Sequence, residues 1–441
     1  MSPTFTLKKI KSNFWIIPAL YGVCFFILAI LSMMLDRYIA EHTNLIKYMS
    51  PVFFTDKELA QTILSAISTS LLTMTTITFS SILVVETTFL AQFSPRTLQN
   101  FNAESKIQQV LGMFVGGYIY ALVLLIQIRE NELSNTFIVP SFAIAVAFIC
   151  VALFVFLIHH VTNWIKVGNL ISNITKETLS AIEDNRRDEI TIGASKEYQG
   201  LDIEKMKSTE IKSKSRGYIQ FAELAKMVEY ATKTDIVIKF EKIPGDYVDV
   251  DTPLLTVWNN KDSLEKDQVL AFIFVTPDQD AIQDVEFGIQ KLVEIALRAI
   301  APGKNDPETA INCIEQLGQI LTKIGKRHSA DPYYCDEQKN VRVILEKPSF
   351  SDYLYESFYQ IRHYGQADVS VVVSVIKALT LIAETNEDKI KAAVWDFSGY
   401  IVEGIKTQEW LGLDKKFINT RLRKLAKACD KDQQLDLIAL D

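Results

Sequence analysis

The sequence predicts a membrane α-helical fold with four transmembrane helices, followed by a cytoplasmic α+β region. In that region a small β-rich module precedes a helical domain. Two observations lead to this prediction. Four long apolar stretches all lie before residue 165, whereas the rest of the chain mixes polar and apolar residues as soluble proteins do. The hydrophobic content of 49% and the mean hydropathy of +0.13 average these two unlike parts.

The transmembrane domain is predicted over residues 1–165. A helix rises about 1.5 Å per residue, so the uncharged stretch Phe14–Leu35 would span about 33 Å, enough to cross a bilayer core. Soluble helices rarely stay apolar on every face over this length. The predicted transmembrane helices cover residues 14–35, 59–90, 107–128 and 137–160.

The basic residues beside these helices predict which side each loop faces. One side has Lys8, Lys9, Lys11, Arg96, Lys106, Lys166 and Lys176, and the other has Arg37, Lys47, Lys57 and Arg129. This imbalance favours both termini in the cytoplasm under the positive-inside rule. The first apolar stretch is too long for a cleaved signal peptide and offers no small-residue cleavage site, so we expect it to remain as an anchor.

The remaining chain divides into three parts by composition and periodicity. Residues 166–215 are predicted to form a charged helical extension and linker, residues 216–279 a β-rich module, and residues 280–441 a helical cytoplasmic domain. Within the β-rich module we predict a short helix at 221–231 and strands at 218–220, 235–240, 254–258 and 269–275, with alternating residues in the strand at 235–240. Apolar residues three and four apart predict helices at 285–300, 308–324, 353–359, 369–385, 390–405 and 421–430.

Charge and motif content narrow the classes of function. The part after Trp164 has 37 Lys/Arg and 45 Asp/Glu, and this acidic balance argues against nucleic acid or an anionic membrane surface as its partner. Neighbouring histidines such as His159 and His160 diverge by about 100° on a helix and make a poor chelate, so no metal site is predicted. No catalytic signature occurs in the sequence, and we predict neither an enzyme nor a cofactor.

Several motifs in one order carry a resemblance to a known family. They lie in Thr78–Arg96, Val110–Gly116, Ser215–Gln220, Pro244–Val248 and Ala296–Ala310. With these motifs the chain resembles bacterial membrane proteins catalogued as domain of unknown function 2254. The resemblance implies a four-helix protein of the bacterial inner membrane with a cytoplasmic C-terminal domain. It implies no activity.

The last of these motifs contains a candidate ligand site. Asp306 precedes Pro307 and is a natural N-cap, so the segment is typical of a helix start. The free amides of that start could also bind a phosphate or carboxylate. The acidic side chains there oppose an anion, and the two interpretations stay open. The ligand-binding candidates are Arg298, Lys304, Asn305, Asp306 and Thr309.

The third predicted transmembrane helix has a face of small residues. Gly112, Gly116 and Gly117 would let the backbone of another helix approach closely, either within one chain or between copies. We therefore predict them as helix-packing residues.

The second predicted transmembrane helix is unusually rich in Ser and Thr. At helical spacing these residues form one stripe. The hydroxyls could bond to their own backbone and pack against neighbouring helices, or they could line a polar path formed by several copies. The pore-lining candidates are Thr62, Ser65, Thr69, Thr73, Thr76, Ser80, Glu86 and Thr87.

Two classes of function follow from these features. The first is an oligomeric ion channel or transporter with a cytoplasmic regulatory domain. The alternative is a membrane-anchored sensor or interaction protein whose cytoplasmic domain binds a small molecule or a protein. The expected partners are thus the lipid bilayer, further copies of the chain, and one ligand or protein on the cytoplasmic domain.

Overall fold

The computed structural model describes most of the 441 residues. The described residues are 15–41, 55–92, 105–130, 139–164, 166–192, 194–195, 207–259, 265–277, 285–327 and 332–437. They divide into an N-terminal unit, Met1–Lys166, and a C-terminal unit, Val167–Asp441. Phe93–Arg96 and the basic residues Lys8, Lys9, Lys11 and Lys47, used above, lie outside the described residues.

The described part of the N-terminal unit contains four helices that are long and apolar enough to cross a membrane. They are α1 (Ile16–Glu41), α2 (Lys57–Gln92), α3 (Ser105–Glu130) and α4 (Val139–Trp164). Half of the apolar stretch of α3 is buried, against 22%, 22% and 17% for α1, α2 and α4. The helix with the glycine face is therefore the central one, and it contacts the other three.

Packing in this unit centres on Tyr120 of α3. Its ring meets that of Phe25 edge to face at 6.3 Å, and its hydroxyl donates to Ser32 Oγ over 3.1 Å. Leu64 of α2 and Ala143 of α4 belong to the same buried cluster. One aromatic side chain thus contributes both apolar contact and a hydrogen bond, which suits a setting that offers no water to its hydroxyl.

The C-terminal unit begins with a helix, α5 (Val167–Ile192), where we predicted an extension and linker. Two segments after the β-rich module, α8 (Val285–Ala299) and α9 (Pro307–Arg327), pack against it. Gly288 of α8 allows this approach, since a Cβ there would lie 2.9 Å from both Cβ and Cγ2 of Thr178. The helical extension is therefore part of the packed C-terminal unit, because its apolar face is covered.

Four further α-helices follow in the described part of this unit, and each overlaps a predicted segment. They are α10 (Phe350–Gly365), α11 (Val369–Thr385), α12 (Asp388–Ile405) and α13 (Gly412–Ala428). Ser349 and Asp352 form a capping box at the start of α10, and Asp368 accepts two backbone amides at the start of α11. These caps explain why α10 and α11 begin where they do.

Nine strands form two sheets in the C-terminal unit as far as it is described. The strands are β1 (Ala194–Ser195), β2 (Lys207–Lys212), β3 (Gly217–Ala222), β4 (Ile236–Phe240), β5 (Tyr247–Val248), β6 (Pro253–Asn259), β7 (Ile273–Thr276), β8 (Tyr333–Cys335) and β9 (Val341–Ile344). Six strands form one sheet in the order β1-β8-β9-β4-β6-β2, and three form the other in the order β5-β3-β7. Only the β4–β9 pair is parallel among these pairings.

The sheets depart from the predicted division of the chain at residues 279 and 280. β8 and β9 come from the predicted helical domain, yet they join the sheet of the β-rich module through β4. The predicted strand at 269–275 is instead a short helix, α7 (Lys266–Leu270), followed by β7. The module also contains α6 (Leu224–Thr234), close to the predicted helix. Tyr334 of β8 and Val343 of β9 therefore belong to the same buried core as the β-rich module.

Arg342 on β9 links the β8–β9 turn to the residue that precedes β4. Its Nε donates to Asp336 in the β8–β9 turn over 2.8 Å, and its Nη1 donates to Asp235, just before β4, over 2.9 Å. Burial alone would raise the pKa of Asp336, but hydrogen bonds from Arg342 and Asn340 hold that pKa below its usual value. The buried guanidinium therefore joins segments that are distant in sequence.

Candidate functional site

The predicted Ser/Thr stripe of α2 lies on the outside of the N-terminal unit. All seven of its hydroxyl residues are exposed: Thr62, Ser65, Thr69, Thr73, Thr76, Ser80 and Thr87. Leu64, Leu71 and Ile82, which pack inside the unit, lie about 180° away on the same helix. The stripe is thus opposite the packed face, and it does not line a space between helices of one chain.

Most hydroxyls of the stripe bond to their own helix. Thr69, Thr73 and Thr76 each donate to the carbonyl four residues earlier over 2.9 Å. Thr62 and Thr87 do the same. Each of these oxygens keeps acceptor capacity after donating its proton. The stripe is therefore compatible with a nonpolar environment and still offers oxygen atoms to a polar one.

Glu86 does not share the stripe. It follows Ser80 by six residues, a rotation of about 240° on an α-helix, and its side chain is half-buried, whereas the hydroxyl residues are exposed. This angle was already available in the sequence. Glu86 therefore lies beside the stripe, between its outward face and the packed face of α2.

Several polar side chains are buried inside the N-terminal unit, and we did not predict them as candidates. They are Asp36, Ser68, Thr78 and Gln108. Among the residues that the structure describes, Thr78 Oγ1 has no hydrogen-bond partner. Polar side chains within membrane spans usually face the helix bundle, as these do. A polar residue type within an apolar span can be seen in the sequence. Whether it is buried, as Ser68 and Thr78 are, or exposed, as the stripe of α2 is, depends on how the helices pack.

The predicted packing glycines contact helices of the same chain. A Cβ on Gly116 would lie 2.6 Å from Phe25 Cδ2, and one on Gly112 would lie 3.0 Å from the ring of Tyr21. A Cβ on Gly117 would lie 3.1 Å from Leu71 Cδ1. The glycines therefore allow α1 and α2 to approach α3, and the structure assigns them contacts within one chain.

The loop with the ligand-binding candidates forms a helix cap. Asp306 Oδ1 accepts the amide of Thr309 over 3.2 Å, and Oδ2 accepts the Thr309 hydroxyl over 2.7 Å. Asn305 adopts a left-handed φ of 47°, which turns the chain into α9. Lys304 is exposed and Arg298 half-buried. These contacts agree with the N-cap interpretation, and the ligand interpretation stays a prediction.

A groove that the sequence did not indicate lies between α5 and α9. It has a volume of about 360 Å³. Lys323 and Glu183 form an ion pair across it, with 2.5 Å between Nζ and Oε1. The lining residues are Leu179, Ser180, Glu183, Gln319, Thr322, Lys323 and Lys326. Because the two helices are far apart in sequence, only their packing reveals the groove.

Cysteines are unsuited to chemistry in the described part of the C-terminal unit. Cys313, Cys335 and Cys429 are buried, and burial raises the pKa of each thiol, that of Cys429 to about 11. Among the described residues, no group of three His, Cys, Asp or Glu side chains is placed to bind a metal ion. Because burial raises their pKa values, the thiols of Cys313, Cys335 and Cys429 are poor nucleophiles at neutral pH.

Comparison with known protein families shows to which family the chain belongs. Residues 11–380 match the family described as "Predicted membrane protein (DUF2254)". The chain belongs to this family. With four helices of membrane-spanning length, this DUF2254 protein is a membrane protein.

This DUF2254 protein matches relatives that are described as uncharacterized proteins. It is 25% identical over 339 residues to the uncharacterized protein MT1328 of Mycobacterium tuberculosis (strain CDC 1551 / Oshkosh), a match that covers 75% of this chain and 64% of the relative. The same values hold for the uncharacterized protein Mb1321c of Mycobacterium bovis. The chain thus spans less than two thirds of the length of these relatives. No solved structure matches it.

Proposed function

We propose that this DUF2254 protein is a homo-oligomeric channel or transporter of the bacterial inner membrane, with both termini in the cytoplasm. In this proposal the exposed stripe on α2 lines a cation path between copies of the chain. The supporting observation is that seven hydroxyl residues lie together on the face of α2 opposite its packed face. The charge of the flanking loops supports the orientation.

The length of the stripe fits this role. From Thr62 to Thr87 the helix rises about 38 Å, which exceeds the hydrocarbon thickness of a bilayer. A ring of such helices would therefore present hydroxyl and carbonyl oxygens along a complete crossing. Oxygen atoms of this kind can replace part of the hydration shell of a cation.

Apolar side chains beside the stripe support contact between copies. Leu72 and Leu83 are exposed on one side of it, and Ile77 and Val84 are exposed on the other. In a ring of helices around the stripe, both flanks would pack against neighbouring copies. Polar residues would then face the axis, and apolar residues would fill the contacts.

Cysteine accessibility tests this arrangement. In a Cys24→Ala background, which removes the exposed native thiol, we expect Thr76→Cys to react with a membrane-impermeant thiosulfonate in sealed vesicles. Ile77→Cys is the matched control, because it is exposed at the same depth but about 100° round the helix. Equal reactivity at both positions would contradict a polar path along the stripe.

Ion flux tests the activity itself. Purified protein in liposomes should pass monovalent cations, and Glu86→Gln should lower the preference for cations over anions, since it removes a carboxylate near the inner end of α2. Electron microscopy should show a ring with an axial hole. Liposomes that stay impermeable, together with a particle of one chain, would refute the channel.

The second candidate is a membrane-anchored sensor, and the groove between α5 and α9 favours it. Its Lys323 and Lys326 suit a small anionic ligand, which would have to compete with Glu183 for Lys323. A library of small carboxylates and phosphates should then raise the melting temperature of the parent protein, and Lys323→Gln should abolish the shift. A shift that survives Lys323→Gln would place the ligand elsewhere.

A further inference from the structure

We propose that the start of α13 and the loop before it form a docking surface for anionic lipid headgroups. This lipid-docking surface consists of Leu411, Leu413, Phe417 and the lysines Lys416, Lys424 and Lys427. It belongs to the C-terminal unit. It goes beyond the proposed function and needs only that the chain be anchored in a membrane.

The apolar part of the surface is unusually exposed for a soluble domain. Leu411 is 74% exposed, Leu413 80% and Phe417 46%. Trp410 beside them is fixed by a hydrogen bond from its indole Nε1 to the Ile405 carbonyl over 3.0 Å. Adjacent exposed leucines on a rigid turn are typical of a contact surface, whereas isolated ones are not.

The faces of α13 explain why these side chains point outward. Ile418, Leu422 and Leu425 are buried against the domain. Leu413 and Phe417 are four residues apart on the opposite face, and Lys424 follows one heptad later. The helix therefore presents an apolar N-terminal end and a basic C-terminal end on one outward face.

The charge of α13 differs from that of the domain around it. The helix contains Lys415, Lys416, Arg421, Arg423, Lys424 and Lys427 against a single acidic residue, Asp414. Lys416, Lys424 and Lys427 are exposed. Glu409 is the exposed acidic residue in the loop just before the leucines. The acidic total of the C-terminal part, which argued against an anionic membrane surface as its partner, masks this basic segment.

Charge complementarity indicates which partner binds to the lipid-docking surface. Basic side chains around inserted apolar ones are the arrangement by which amphipathic helices bind anionic bilayers. A second copy docked through the same face would bring two sets of lysines together, which is repulsive. Nucleic acid would leave Leu411 and Leu413 exposed. An anionic lipid surface satisfies both the apolar and the basic part.

Because the transmembrane helices anchor the chain in a bilayer, a weak affinity of the lipid-docking surface for lipid is sufficient for contact. The membrane spans keep the chain at a bilayer, so the effective concentration of lipid near the soluble unit is high. Each lysine near an anionic surface contributes roughly a fivefold factor to the binding constant. Three leucine or phenylalanine side chains and three lysines are then enough for reversible contact.

The test places a fluorophore on the surface of the full-length protein. In the Cys24→Ala background, Leu413→Cys is labelled with an environment-sensitive dye and reconstituted into vesicles that contain spin-labelled lipid. The vesicles are phosphatidylcholine alone or phosphatidylcholine mixed with phosphatidylglycerol. We expect a blue shift and quenching by the lipid spin labels in the anionic vesicles, both weakened by salt.

Two kinds of control make the result decisive. Tyr364→Cys, at an exposed position on α10, should show no difference between the vesicles. Lys416→Gln and Lys424→Gln, which change exposed side chains and should leave the melting temperature unchanged, should each weaken the docking equilibrium about fivefold. Equal quenching at Leu413 in both vesicle types would overturn the proposal. So would energy transfer between labelled copies that does not depend on anionic lipid.

Discussion

Replacing Gly288 with alanine should loosen the contact between α5 and α8. The added Cβ would lie 2.9 Å from two carbons of Thr178 and would overlap its hydroxyl oxygen. Thr178 is 3% exposed, and its hydroxyl donates to the Ile174 carbonyl over 2.8 Å, so it has little room to move. The helices must therefore separate or Thr178 must give up its hydrogen bond.

The expected magnitude follows from two opposing effects. Overpacking of a buried contact costs about 1–3 kcal/mol. Alanine in a helix interior stabilises the helix by about 1 kcal/mol relative to glycine. Gly288→Ala should therefore lower the free energy of unfolding by up to about 2 kcal/mol, and each kcal/mol lost should lower the melting temperature by about 2–4 °C.

The assay is thermal unfolding of the purified full-length protein in detergent, with hydrogen exchange followed over residues 167–192. Gly288→Ala should melt lower and exchange faster in α5. Gly399→Ala on α12 is the matched control, because a Cβ there meets no atom within 4 Å, and it should be neutral or stabilising. Adding Thr178→Ala should recover part of the loss. A Gly288→Ala protein as stable as Gly399→Ala would refute the packing of α5.

Three further predictions test other contacts. Gly116→Ala should lower the heat resistance of the N-terminal unit in detergent, because its Cβ would lie 2.6 Å from Phe25; an unchanged melting temperature would contradict the α1–α3 contact. Arg342→Met should cost about 3 kcal/mol, since it leaves a buried carboxylate without its partner. The lowered pKa of Asp336 means that its contribution is present above about pH 4 and lost as the pH falls through the folded-state pKa, so Arg342→Met should flatten this acid-dependent loss. Asp306→Ala should cost about 1 kcal/mol, as should Asp368→Ala at the other Asp cap, and a neutral Asp306→Ala would contradict the cap.

The sequence predicts features that depend on neighbouring residues. The four apolar spans need only length and composition, and all four are helices in the structure. The start of α9 at Pro307 follows from a cap and a proline that are adjacent in the chain. Local signals of this kind are sufficient because the interactions that produce the element lie within a few residues.

Features that depend on distant residues were not predictable in the same way. β8 has three residues and β9 four, too short for a periodic signal, and β9 becomes a strand by pairing with β4. The stripe on α2 was predictable as a stripe. Whether it faced inward or outward depended on which side of α2 packs against α3. The groove likewise requires two helices that only tertiary packing brings together.

The parallel pairing of β4 with β9 has a consequence for synthesis and for truncation. β4 ends at Phe240, but its neighbour is not complete until Ile344 has been made. Until then one edge of β4 stays open, and open edges invite pairing with other chains. A fragment ended at residue 279 would keep that edge permanently, so we expect it to aggregate. Dissection of the C-terminal unit should therefore cut before Val167 and keep everything after it.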